Sequence, residues 1–122
     1  MSTPTQDPLF LFVFRLPQNM PNRTPEEMQQ VLNAWMAWMQ SLKTKGALHD
    51  VNRLEGNGQL VRGPRGGSVT DGPFAEAKEI VGGYMVVSAP TLADATNLAK
   101  DCPALASGGS VEVRPVMPIS GQ

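Results

Sequence analysis

The stretch TDGPFAEAKE, residues 70–79, combines a turn, an aromatic residue and four charged side chains within ten positions. Asp71 can hydrogen-bond the backbone that follows it, Gly72 tolerates torsion angles that other residues avoid, and Pro73 fixes its own φ angle. Phe74 can anchor such a turn in apolar surroundings. On structural grounds alone, this pattern predicts a rigid corner of the chain.

The charges around this turn also allow a chemical interpretation. A carboxylate held at the mouth of a cavity beside a lysine or arginine can act as a general acid or base. Glu112 and Arg114 lie two residues apart in a strand pattern, so they share a face and form a rim ion pair or bind an anionic or carbonyl group. The predicted catalytic residues are Asp71, Glu76 and Lys78, and the predicted ligand-binding residues are Gly72, Pro73, Phe74, Glu79, Glu112 and Arg114.

The single histidine and the single cysteine do not favour metal or thiol chemistry. His49 is interpreted as a polar loop residue, because a metal site needs several convergent ligands. Cys102 lies on an apolar helical stripe just before Pro103, so it is interpreted as a small buried hydrophobe rather than a nucleophile. We therefore expect no metal and no tightly bound cofactor.

Composition narrows the class of partner and the compartment. Ten Lys and Arg against eleven Asp and Glu leave a formal net charge of -1, which gives no strong field toward nucleic acid or anionic lipid. The apolar run at residues 9–14 is too short for a signal peptide or a membrane span, and a single cysteine fits a reducing compartment. We expect one cytoplasmic domain, residues 1–122, with flexible tails at 1–8 and 118–122, that binds neither nucleic acid nor membrane.

Hydrophobic periodicity predicts strands and helices along the chain. Residues 9–16 and 80–89 are apolar on both alternations, as in strands covered on both faces, while 48–54 and 110–116 are further strand candidates. The Gly- and Pro-rich residues 55–73 predict a loose hairpin or excursion. A short helix should follow Thr91 and end before Pro103.

A long helix is predicted after Thr24, with Glu27 completing a capping box and Gly46 ending the helix. At 100° per residue its apolar positions form one stripe, which should face the core. The predicted stripe consists of Met28, Val31, Leu32, Trp35, Met39 and Leu42, with Met36 and Trp38 on its two shoulders.

The order strand, long helix, strand, strand, helix, strand predicts an α+β, ferredoxin-like βαββαβ fold, with a four-stranded antiparallel sheet and both helices on one face. The two most apolar strands then also direct apolar side chains to the face without helices. Leaving such side chains in water costs roughly 1.5–3 kcal/mol each. We therefore predict a homodimer through the helix-free sheet face, a dimeric α+β barrel that buries about 800 Å² per partner.

The segments TDGPFAEAKEIVGGYMVV and CPALASGGSVEVRPV resemble the DGPF-domain branch of the YCII-related family, bacterial proteins of dimeric α+β barrel architecture. The resemblance covers most of residues 9–117 and implies the same fold, but it implies no particular reaction. Members are suspected enzymes on the strength of a His and Asp pair in a cleft. The one histidine of this sequence is His49, beside Asp50.

Two classes of function stay open at this point. One is an enzyme that handles an unidentified small molecule by acid–base chemistry at Asp71, with Glu76, Lys78 and Arg114. The alternative is a non-catalytic ligand-sensing or regulatory module, which the resemblance permits because DGPF-type relatives are often associated with extracytoplasmic-function sigma factors. Asp71 in a concave, partly apolar pocket would favour the enzyme, and Asp71 engaged only with backbone would favour the module.

Overall fold

The computed structural model describes residues 7–18, 22–72 and 79–119. Two 3₁₀ segments, Pro64–Gly66 and Pro103–Ser107, accompany the regular elements. In chain order, the helices and strands are β1 (Leu9–Pro17), α1 (Pro25–Thr44), β2 (Leu48–Arg53), β3 (Gly58–Arg62), β4 (Ser68–Gly72), β5 (Glu79–Ser88), α2 (Leu92–Ala99) and β6 (Ser110–Pro115).

Four of the strands form the main sheet in the order β2-β5-β1-β6, with antiparallel pairing throughout. Because β1 and β2 both run antiparallel to β5, they run parallel to each other with β5 inserted between them. This is the split βαβ arrangement, and α1 makes the crossover. The predicted α+β, ferredoxin-like fold is confirmed for the single chain.

Both helices cover one face of this sheet. The aromatic side chains of β1 on that face, Phe10, Phe12 and Phe14, are at most 4% exposed. The other residues of the core cluster are Trp38, Leu42, Met85, Val87, Ala89, Ala95, Ala99, Cys102 and Ala104. The core therefore lies between the sheet and the helices, and the opposite face of the sheet is without a helix.

Both helices begin at the predicted caps. The Thr24 hydroxyl accepts a hydrogen bond from the Glu27 backbone N–H at 3.1 Å, and Glu27 Oε1 accepts one from the Thr24 backbone N–H at 2.8 Å. That backbone N–H is the main reason why the pKa of Glu27 lies below its ordinary value. The reciprocal cap is complete while Glu27 is ionised, and it weakens as the pH falls through the lowered pKa. Thr91 caps α2 in the same way, accepting from the Asp94 backbone N–H.

The buried face of α1 differs from the predicted stripe. Met28 and Leu32 are 60% and 48% exposed, whereas Trp38, expected on a shoulder, is only 6% exposed. The buried direction is rotated by about 40° toward Trp38 relative to the predicted one, at 100° per residue. The cause is the indole of Trp38, which stacks on Phe12 with ring centroids 6.3 Å apart and donates to the Leu98 carbonyl at 3.1 Å.

The hairpin expected at residues 55–73 is present as β3 and β4, which pair with each other in a separate two-stranded sheet. A 3₁₀ turn connects them, and Gly63 and Gly66 adopt positive φ angles of 85° and 66° there. These angles are open to glycine without strain, which explains why glycine occupies these two positions. In the sequence, the hairpin lies between β2 and β5, which pair directly with each other in the main sheet.

Candidate functional site

Two bulges in the main sheet decide which side chains reach its helix-free face. In β5, Phe14 is opposite Gly83 and Arg15 is opposite Val81, so Gly82 is the extra residue. In β2, the pairing passes from Leu48 to Asp50 and leaves His49 unpaired. A bulge shifts the alternation of a strand by one residue. Leu48 therefore packs against the core while Asp50, two positions later, lies on the opposite face.

The helix-free face is built from two rows that cross all four strands. In one row Asp50 is opposite Val86, Val86 is opposite Leu11, and Leu11 is opposite Arg114. The second row, one step along the strands, consists of Asn52, Tyr84, Val13 and Glu112. Paired residues of an antiparallel sheet project from the same face, so each row is a line of adjacent side chains.

The centre of this face is apolar and its two edges are polar. Leu11, Val13 and Val86 are half-buried in the single chain. The predicted apolar surface is thus confined to the two central strands, β1 and β5, and the outer strands β2 and β6 supply polar and charged side chains. Clefts that hold small molecules commonly combine an apolar lining with a few polar groups in this way.

At the β2 edge, three side chains form a hydrogen-bonded cluster around Tyr84. The Asn52 side-chain amide donates to the Tyr84 hydroxyl at 2.8 Å, and that hydroxyl donates to Asp50 Oδ2 at 3.3 Å. Asp50 Oδ1 accepts from the Val51 backbone N–H at 3.0 Å. Among the residues that the structure describes, Asp50 has hydrogen-bond donors around it but no cationic partner. This edge is therefore negatively charged.

At the β6 edge, Glu112 lies between two arginines. The Arg15 guanidinium donates to Glu112 Oε1 from Nη2 at 2.9 Å and from Nε at 3.2 Å. Arg114 Nη1 is 3.7 Å from Glu112 Oε2, and the Arg114 side chain is 69% exposed. Two positive charges against one negative charge leave this edge positive. Arg15 fixes the carboxylate, while Arg114 extends into solvent.

The sequence profile of the YCII-related domain matches residues 11–120, nearly the whole chain. The chain belongs to the YCII-related family. No curated protein matches the sequence significantly. Family membership adds no ligand and no reaction, so the site of this YCII-related domain has to be argued from its own residues.

Of the predicted site residues in this YCII-related domain, Glu112 and Arg114 lie together at the β6 edge of the helix-free face. Asp71 is exposed on β4, in the separate hairpin, where it accepts a hydrogen bond from the Gln59 side-chain amide at 2.9 Å. Gly72 ends β4, and Glu79 is exposed at the start of β5. Pro73, Phe74, Glu76 and Lys78, which were also predicted as site residues, lie outside the described residues.

Several residues of the YCII-related site were missed in the sequence. Arg15 and Tyr84 were taken only as members of apolar strands, and Asn52 was given no role. Their signal was present, because each is a polar residue inside a segment with strand character. Their convergence depends on strand register and on the two bulges, which the sequence pattern does not reveal. His49, expected in a loop, lies instead in β2 at its bulge, where its side chain is exposed.

Two open clefts occur elsewhere in this YCII-related domain. A cleft of about 530 Å³ follows β2, lined by Arg53, Leu54, Glu55 and Gly56. The other, about 310 Å³, lies between α1 and the 3₁₀ helix that follows α2, where Arg23 donates to the Ser107 hydroxyl at 2.8 Å. Both are wide open to solvent, which limits how much of a ligand either could bury.

Neither metal ligation nor membrane insertion is indicated by the described part of this YCII-related domain. Within residues 7–18, 22–72 and 79–119, no three His, Cys, Asp or Glu side chains converge on a point where a metal ion could bind. Over the same residues, no helix combines the length and apolar character needed to cross a bilayer.

The thiol of Cys102 is 3% exposed, and burial raises its pKa from 9.0 to about 11. An unfolded chain loses the thiol proton near pH 9, whereas the folded chain retains it until about pH 11. The unfolded state then binds fewer protons, so the free energy of unfolding should fall across this window, by roughly 2–3 kcal/mol. Urea unfolding between about pH 8.5 and 11 measures this, and the decline should be shallower in Cys102→Ala. Equal slopes in both proteins would contradict it.

Proposed function

We propose that the protein binds a small organic molecule on the helix-free face of its main sheet, and that a second copy of the chain encloses the bound molecule. One observation carries this proposal: polar clusters stand at opposite ends of rows whose middle is apolar. The two clusters are three strand spacings apart, about 14 Å. An apolar floor between two polar edges suits a molecule with an apolar body and a polar group at its end.

The charge at the β6 edge favours an anionic or carbonyl group on the ligand. Arg15 is engaged by Glu112 through two hydrogen bonds, so the excess positive charge belongs to Arg114. The 3.7 Å contact between Arg114 and Glu112 is long, and its guanidinium is free to turn toward a carboxylate, which it can bind through two parallel N–H groups. At the other edge, Tyr84 and Asn52 offer both donors and acceptors.

Simple carboxylates test this binding, with thermal shift as the measurement. The rise in melting temperature should increase from acetate to butyrate to benzoate, because only the longer molecules also cover Leu11, Val13 and Val86. Replacing Arg114 with glutamine should weaken benzoate binding about 10- to 100-fold, the range for hydrogen bonds to charged groups.

The matched control for this measurement is Arg62→Gln, which removes an exposed arginine from β3 in the separate hairpin. It should leave the response to benzoate unchanged. Equal shifts with acetate and benzoate, or an equal loss in the two arginine variants, would contradict binding on the helix-free face.

Acid–base catalysis by Asp71 with Glu76 and Lys78 stays a prediction, and the environment of Asp71 favours a second candidate. Asp71 is exposed, and its hydrogen bond to Gln59 connects the two strands of the hairpin. That arrangement suits a structural or partner-binding carboxylate, as in a ligand-sensing or regulatory module, including one linked to extracytoplasmic-function sigma factors.

Asp71→Asn keeps the shape of the side chain. It should abolish turnover if Asp71 is the base and leave ligand affinity unchanged if it is not.

A further inference from the structure

The cluster of Asp50, Asn52 and Tyr84 at the β2 edge directs its side-chain donors inward. The Tyr84 hydroxyl donates its proton to Asp50 Oδ2 at 3.3 Å. The Asn52 amide donates to the Tyr84 hydroxyl at 2.8 Å and to Asp50 Oδ1 at 3.4 Å. A phenol has one donor and a side-chain amide has two, so the donors of these side chains are all engaged within the cluster. What this edge offers to a ligand is therefore a set of hydrogen-bond acceptors.

Two acceptor atoms of this cluster have room for a donor from a ligand. Asp50 Oδ2 accepts only the contact from Tyr84, which at 3.3 Å is long for an O–H···O bond, and a carboxylate oxygen can accept two hydrogen bonds. In the described part of the chain, Asn52 Oδ1 accepts no hydrogen bond and Asp50 forms no ion pair. A negative charge with open acceptors favours a cationic donor, such as an ammonium group.

The β6 edge shows the opposite arrangement, with donors left over. Arg15 donates two hydrogen bonds to Glu112 Oε1 and so engages that carboxylate. The Arg114 guanidinium is exposed and lies 3.7 Å from Glu112 Oε2, beyond hydrogen-bond distance. A guanidinium has five N–H donors and no acceptor. This end of the face therefore suits a negatively charged acceptor, such as a carboxylate.

A single row of the sheet joins these two ends. Asp50 and Arg114 are the outer residues of the row. Its inner residues, Val86 and Leu11, are half-buried and have no polar side-chain atoms, so the part of a ligand above them should be apolar. The order along the row is thus acceptor, apolar surface, donor. All four residues belong to one chain, so this order does not depend on what covers the face.

The width of the sheet sets the distance between the two charges of the ligand. Three strand spacings separate the Cα atoms of Asp50 and Arg114, about 14 Å, and side chains stand roughly perpendicular to a sheet. A hydrogen bond of about 2.8 Å at each end leaves about 9 Å between the cationic and anionic groups. An extended chain advances about 1.25 Å per bond, so about seven bonds cover this distance. A chain of about six to eight carbon atoms therefore fits.

We infer that the ligand of the helix-free face is an aliphatic ω-amino carboxylate, with its ammonium group bound to Asp50 and Asn52 and its carboxylate bound to Arg114. The inference rests on the proposed function and deepens it by naming the class of ligand. An α-amino acid holds its two charges too close together to reach both edges. A fatty carboxylate of the same length places a methyl group against Asp50 and leaves the acceptors of the cluster without a donor.

Two isomeric ligands test the inference by isothermal titration calorimetry. In ω-aminooctanoate and α-aminooctanoate the atoms and charges are the same, and only the separation of the ammonium and carboxylate groups differs. The ω-isomer should bind at least about tenfold more tightly, because the α-isomer brings its ammonium group near Arg114. The ω-isomer should also bind about fivefold more tightly than octanoate, which lacks the ammonium group. This gain should be absent when ω-aminobutyrate is compared with butyrate, because the shorter chain cannot reach both edges.

Substitutions at the two ends of the row separate their contributions. Asp50→Asn keeps the shape of the side chain and removes its charge, so ω-aminooctanoate and octanoate should bind to this variant equally, within about twofold. Arg114→Gln should weaken the binding of both ligands about 10- to 100-fold. The control is Asp101→Asn, which removes an exposed carboxylate just after α2 and should change neither affinity. Thermal melts without ligand confirm that each variant is folded.

Equal binding of the two isomers to the unmodified protein would overturn the inference. So would a preference for ω-aminooctanoate over octanoate that persists in Asp50→Asn. If octanoate and benzoate still bind in a manner that depends on Arg114, the proposed function stands and only the class of ligand is wrong. If neither octanoate nor benzoate binds, the proposed function fails together with the inference.

Discussion

Replacing Trp38 with alanine should lower the free energy of unfolding by roughly 3–5 kcal/mol, as expected for a large buried aromatic side chain. Trp38 is 6% exposed and contacts three other rings: it stacks on Phe12 and meets Phe14 and Trp35 edge to face, with ring centroids 5.7–6.3 Å apart. Its indole N–H also donates to the Leu98 carbonyl in α2. The substitution thus removes ring packing between α1 and the sheet together with a hydrogen bond between α1 and α2.

Denaturant unfolding of Trp38→Ala beside Met36→Ala measures this effect with a control from the same helix. Met36 is 56% exposed, so its truncation should change stability by no more than about 0.5 kcal/mol. Trp38→Phe should fall between the two, because it retains ring packing but leaves the Leu98 carbonyl without its donor. A Met36→Ala protein as unstable as Trp38→Ala would mean that the buried face of α1 is assigned wrongly.

Replacing Val13 with aspartate should dissociate the proposed dimer, weakening it by at least about 10³-fold. Val13 is half-buried at the centre of the helix-free face, between Tyr84 and Glu112 in its row. Twofold symmetry introduces the change twice, so each interface would acquire two carboxylates in apolar surroundings. The individual chain should stay folded, because this side chain projects away from the core between sheet and helices.

Sedimentation velocity over a range of concentrations measures the association, and Val61→Asp is the matched control. Val61 is 60% exposed on β3, in the separate hairpin, and the same substitution there should leave the association unchanged. A Val13→Asp protein that sediments like the unmodified one would show that a second copy does not bind to this face. Equal weakening by both substitutions would instead indicate that added charge alone is responsible.

Much of the fold followed from local sequence signals. The apolar pattern at residues 9–16 correctly predicted a strand, which is β1, and the Thr24 and Glu27 pair correctly marked the start of α1. Such signals succeed because caps and strand alternation depend on residues only a few positions apart. The predicted buried face of α1 was wrong, because the stacking of Trp38 on Phe12 brings together parts of the chain that hydrophobic periodicity does not relate.

The candidate site was harder to predict from the sequence, because it also depends on contacts between residues that are far apart in the chain. Glu112 and Arg114 were named because they are two apart in one strand, and they do share an edge. Arg15, which fixes Glu112, is 97 positions away from it. Asp50 reaches the face only because β2 bulges at His49, and a bulge of one residue reverses the faces of every side chain beyond it. Local spacing contains no information on such pairings.

The place of β1 in the sheet has a consequence for how the protein is made. β1 is synthesised before both of its neighbours, so it must wait for β5 and then for β6 before both of its edges are paired. Until then its run of phenylalanines is exposed, and such segments are prone to aggregate or to be held by chaperones. Long-range pairing of this kind also slows folding. Synthesis of the chain should therefore leave an incompletely folded intermediate until β6 emerges, and stalling translation before β6 should yield chains that a protease digests readily.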